Sequence, residues 1–120
     1  QYGTWTLVSE STWNETGGLF LGRKLDRVRV VGIETPVQLY NLMGVRSEAD
    51  DRSIELAERF NAAIDLYRAR KFSDAAVAFA KCAELDPEDG ASRAFLERVR
   101  GMTKAGVADG WTDVLTMTTK

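Results

Sequence analysis

Gly17 and Gly22, in the stretch GGLFLGRKL, have the G-x-x-x-x-G spacing of a loop that cradles phosphate with its backbone N–H groups. Such a loop continues with Lys and then Ser or Thr, which neutralise the phosphate and hold Mg2+. Here Arg23, Lys24 and Leu25 follow, and Leu19-Phe20-Leu21 would fill the cradle with apolar side chains. The stretch therefore reads as a glycine turn opening a strand. DPEDG, residues 86–90, gathers three acids beside a glycine. A calcium loop needs acids at alternate positions and a distant bidentate Glu, so helix capping is the better account. Cys82 has no histidine partner anywhere in the chain and lies in line with Phe79 and Ala75 at helical spacing. It reads as a buried structural thiol rather than a nucleophile. Arg27 and Arg29 of RVRV have the charge to bind phosphate but sit where a solvated strand face belongs. Trp5, Trp13 and Trp111 read as core or interface anchors. These residues supply no catalytic group and no metal-ligand set.

Composition narrows the choice further. The chain has 120 residues, 44% hydrophobic and 28% charged, with a net charge of −2. That is enough chain to bury a core, and it offers no electrostatic reason to bind nucleic acid or an anionic membrane. Residues 1–46 carry five basic and four acidic groups, and residues 47–104 carry ten and twelve, so neither part is a charged tail. The absence of histidine removes the commonest base near neutral pH and the commonest metal ligand. A single cysteine permits no intrachain disulfide, which suits a reducing, cytoplasmic location. No run approaches the ~18 apolar residues of a membrane span. The chain opens at Gln1-Tyr2-Gly3 without Met, and a piece of a longer protein is expected.

Three segments are expected, bounded at 1–46, 47–104 and 105–120. In the first, TWTLVS at residues 4–9 favours a strand. Ser9 to Asn14 makes one helical turn capped by Ser9 or Ser11, and Gly17-Gly18 ends it. A strand runs from Leu19 to Val31 and alternates wet and dry at its end. Gly32 to Pro36 turns the chain into a return strand, Val37 to Met43, which Gly44 ends. In the second segment, Ser47 with Asp50 has the S-x-x-D capping pattern. Leu56, Phe60, Ala63, Ile64 and Tyr67 then recur at helical spacing. Ser73 caps a second helix, Asp74 to Leu85, with Ala75, Ala76, Phe79, Cys82 and Ala83 inward. Asp86-Pro87 starts a third, with Ala91, Ala94, Phe95 and Met102 inward. WTDVLTMTTK closes the chain as an extended tail that adds a strand or lies over the helices. The predicted fold is α+β: a small antiparallel sheet of three or four strands packed against three helices.

LVSESTW followed by GRKLDRVRVVGIETPVQLYNLMG resembles the C-terminal end of the class III adenylate/guanylate cyclase catalytic domain. Ser9, Arg23, Leu25, Asp26, Val28, Val30, Gly32, Pro36, Val37, Tyr40 and Leu42 carry the resemblance. It implies a parent enzyme, bacterial and in signal transduction, that makes cyclic nucleotide and pyrophosphate from ATP or GTP with Mg2+ or Mn2+. The family's metal-holding aspartates, base-selecting pair and Asn/Arg pair all precede the hairpin, so none falls in this chain. One family group does fall here, the lysine that reaches the triphosphate. Its position is Val31, and Ile33 replaces the lysine after the glycine. A valine cannot neutralise phosphate charge. The chain alone is therefore expected to be inactive and without cofactor.

Ala63, Leu66-Tyr67, Phe72, Ala75, Phe79, Cys82 and Asp86-Pro87 resemble one tetratricopeptide repeat. Bacterial cyclases of this class are similar in carrying a repeat-like extension and a W.gV..m..K ending, which Trp111, Val114, Met117 and Lys120 match. The resemblance implies a buttress for the catalytic sheet. It also implies a homodimer, since class III sites form between two catalytic domains, and an open strand edge invites self-pairing. The alternative is a non-catalytic interaction module on a degenerate cyclase domain. In that case a groove on the helices takes a protein or peptide, with Tyr67, Phe79 and Trp111 as the expected surface. No direct membrane contact is expected in either case.

Overall fold

A computed structural model describes residues 6–30, 32 and 35–117. These residues form two compact units, one from Asp50 to Thr112, the other from residues 6–49 together with residues 113–117. The fold is α+β, as the sequence predicts. The tail, expected as one segment, is divided between the units.

The sheet unit begins with β1 (Thr6–Ser9) and a short helix α1 (Glu10–Glu15), whose N-terminus is capped by Ser9 accepting from the Thr12 N–H. The hairpin strands β2 (Phe20–Val30) and β3 (Val37–Val45) follow, and β4 (Val114–Met117) returns at the end of the chain. The order across the sheet is β1-β3-β2-β4. β3 is antiparallel to both β1 and β2, whereas β4 runs parallel to β2 with Arg27 beside Val114. The sheet is thus mixed, not purely antiparallel. The chain leaves through three helices before returning, and such a crossover permits parallel pairing, which a tight hairpin does not.

Two register shifts shape the hairpin. Phe20 faces Val45 while Gly22 faces Leu42, so β3 carries an extra residue there. Gly44, at φ 115°, supplies the backbone conformation that such a bulge needs. Lys24 faces Tyr40 while Arg27 faces Gln38, so β2 carries the second extra residue. That shift explains why Leu21, Leu25 and Val28 are all buried although strict alternation would turn Val28 outward.

The helical unit contains α2 (Asp51–Arg68), α3 (Phe72–Leu85) and α4 (Gly90–Ala105). Asp50 caps α2 by accepting from the Ser53 N–H at 2.8 Å, and this hydrogen bond holds its carboxyl below the usual range. The expected cap, Ser47, lies instead in a 3-10 turn over Arg46–Glu48. α2 ends in a Schellman turn: Arg70 N–H donates to Tyr67 O and Lys71 N–H to Leu66 O. Arg70 takes the left-handed position, φ 66°, usually given to glycine. Its guanidinium compensates by donating to the carbonyls of Ala108 and Asp109 at 3.3 and 3.2 Å.

That turn leads straight into α3, which starts at Phe72 without a side-chain cap, so Ser73 is not the expected cap. α4 starts three residues after Pro87, because Asp89, accepting from the Ser92 N–H, outcompetes Asp86 as cap. Asp86 instead turns the connection by accepting from the Glu88 N–H. Leu56, Phe60, Ala63, Ile64, Tyr67, Ala75, Phe79, Cys82, Ala91 and Phe95 are buried as the helical spacing predicts. Val99 and Ser92 join them, whereas Ala94 is exposed and Met102 half-buried.

Candidate functional site

The structure corrects the expected surface of Tyr67, Phe79 and Trp111. Phe79 is 0% and Tyr67 2% exposed. Phe60 on α2 meets Phe79 on α3 edge-on at 5.3 Å and Phe95 on α4 at 5.5 Å, and Phe79 stacks on Phe95 at 5.4 Å. Tyr67 extends the cluster, edge-on to Phe95 at 5.9 Å and to Trp111 at 5.4 Å. Trp111, half-buried, also meets Phe72 at 5.2 Å. Such contacts add about 0.5–1.5 kcal/mol each beyond the area buried. A lone helix pair would leave Tyr67 and Phe79 wet. Here α4 and the Trp111 strap supply the neighbours that a single repeat lacks, so these aromatics are core. Arg98 lies 4.4 Å over the Phe95 ring and closes the cluster's polar side.

The helical unit offers a surface between α2 and α3. Arg59 and Ala62 of α2 face Asp74, Val77, Ala78 and Lys81 of α3 across a shallow groove of about 240 Å3. Glu55, Glu84 and Leu85 line its continuation. The signal was in the sequence: positions 74, 77, 78 and 81 recur at helical spacing, out of phase with the core stripe at 75, 79 and 82.

In the sheet unit, Arg23 is 3% exposed and its Nε donates to Asn41 Oδ1 at 3.0 Å, directly across the β2–β3 pair. Gln38 Nε2 donates to the carbonyls of Leu25 and Leu39. Gly22 is not part of a phosphate loop. It is a buried strand residue lying under the indole of Trp13, which in turn stacks on Tyr40 at 4.8 Å with the rings 8° from parallel.

Arg27 is not a free phosphate ligand either. It grips Asp113, just before β4, with both arms, Nε to Oδ2 at 2.8 Å and Nη2 to Oδ1. The hydrogen bond to Asp113 raises the Arg27 pKa further above its ordinary value. Sequence reasoning missed Asp113, an acid in a β-prone tail that pairs with an arginine-bearing strand. Asp113 is 3% exposed whereas Arg27 is 41% exposed, so the pair counts as a charge-assisted bidentate hydrogen bond, not a fully buried ion pair. Asp113→Asn removes the charge and one acceptor. It is expected to cost about 1.5–3 kcal/mol and to speed hydrogen exchange in β4 before the rest of the sheet. Unchanged β4 exchange would show that pairing alone holds that strand.

Cys82 is buried, in agreement with a structural thiol. Val31, Ile33 and Trp5 lie outside the described residues, as does Lys120. Among the described residues, no three His, Cys, Asp or Glu side chains converge as a metal site. No helix among them is long and apolar enough to cross a membrane. No family model, no curated protein and no solved structure matches the chain.

Proposed function

We propose that this chain is the C-terminal part of a class III nucleotidyl cyclase: the last strands of the catalytic domain plus a helical extension. The reading rests on the residue pattern of the hairpin, and one observation supports it most. Arg23, Leu25, Asp26 and Val28, which carry the resemblance, are buried together on β2, and β1 and α1 precede the hairpin in the expected order. In this reading the catalytic groups and the Mg2+ or Mn2+ they hold belong to residues upstream.

The test is incubation of the full-length protein with ATP or GTP and Mn2+. Cyclic product from either supports the reading, and this chain alone makes none. No product from either nucleotide overturns the enzyme reading and leaves the second one, an interaction module on a degenerate catalytic domain. The exposed groove between α2 and α3, with Val77 at 58% exposure, favours that alternative.

A further inference from the structure

We propose that the outer face of α3 is a self-association surface. Its occupant is α3 of a second copy, packed antiparallel across a two-fold axis between Val77 and Ala78. The buried stripe of α3 is Ala75, Phe79 and Cys82. A second stripe, turned away from the first, runs Asp74, Val77, Ala78, Lys81, Glu84. Its charged members are exposed, and Val77 is 58% exposed in mid-helix.

The order of charges along this stripe is self-complementary. With the axis between Val77 and Ala78, Asp74 stands level with Lys81 of the second copy. Val77 meets Ala78, and every pair occurs twice. A two-fold interface requires this property, that residue i meets j and j meets i. A parallel arrangement would set Asp74 against Asp74 and Lys81 against Lys81, so the charges also select direction. Ala78 and, across the groove, Ala62 leave room for close approach of a helix. The charged residues of α2 on this groove, Glu55 and Arg59, pair with each other at 2.7 Å and add no net charge. The proposal does not depend on the cyclase reading.

Sedimentation equilibrium of the full chain tests it. The expected result is a concentration-dependent dimer that weakens with salt. D74K and K81E each turn two attractive rungs into repulsive ones and should weaken the dimer about tenfold or more. The double variant D74K/K81E restores opposite charges at every rung and should recover the original constant within about threefold. Mixing D74K with K81E should yield the heterodimer. Circular dichroism of each variant confirms that the helices are intact. A monomer at roughly 300 µM overturns the proposal, since such affinity lies outside useful association. So does a dimer indifferent to the single reversals, as one formed through the open edge of β1 would be.

Discussion

Truncating Phe60 to alanine is expected to cost the helical unit about 3–5 kcal/mol. Phe60 is fully buried, and its ring touches both Phe79 and Phe95. Its removal leaves a cavity bounded by α2, α3 and α4 at once, so no single helix can relax to fill it. Denaturant unfolding followed at 222 nm measures the loss. Glu97→Ala, at an exposed position of α4 away from that face, serves as control and should change stability by no more than about 0.5 kcal/mol. A Phe60→Ala loss below about 1 kcal/mol would mean that the three helices pack through other contacts.

Gly22→Ala is the second large effect. A β-carbon built there would lie 2.4 Å from Trp13 Cζ3 and 2.7 Å from Cη2, with the Asn41 carbonyl at 3.1 Å on another side. The backbone of β3 cannot give way without breaking the ladder, so the indole must leave Tyr40. Overpacking of this kind costs about 1–3 kcal/mol, and we expect the upper end because the aromatic stack is lost as well. The diagnostic is a double-mutant cycle. In a Trp13→Ala background the cost of Gly22→Ala should fall below about 1 kcal/mol. An equal cost in both backgrounds would refute the contact as its cause.

The helices were legible in the sequence because their apolar residues recur over long stretches: Leu56, Phe60, Ala63, Ile64 and Tyr67 fix one face of α2 without reference to anything else. Their starts were less so. Ser47, Ser73 and Asp86 have the right chemistry for caps, but Asp50, Asp89 and the Schellman turn at Arg70 compete for the same backbone groups, and the outcome depends on the local path of the chain. The hairpin was legible from Gly32, Pro36 and the flanking alternation. Its bulges were not, because an extra residue leaves no compositional trace beyond a glycine such as Gly44.

The candidate surface was misread for a related reason. Tyr67 and Phe79 look like an exposed stripe when one repeat is considered alone. What covers them comes from Phe95 and from Trp111, residues outside the repeat pattern. Likewise the pairing of Arg27 with Asp113 joins positions 86 residues apart, a separation no local pattern can signal.

That same separation governs the order of assembly. Bringing the ends of an 86-residue disordered segment together costs on the order of 4 kcal/mol in chain entropy, more than one charge-assisted bidentate contact returns. Once α2, α3 and α4 have condensed, most of that segment is already ordered and the cost of the final closure is correspondingly smaller. The terminal strand is the return leg of a long insertion, and its docking is expected to follow condensation of the helices. A chain severed anywhere between α2 and α4 would lose its fourth strand along with its helices, leaving β2 with an unprotected margin.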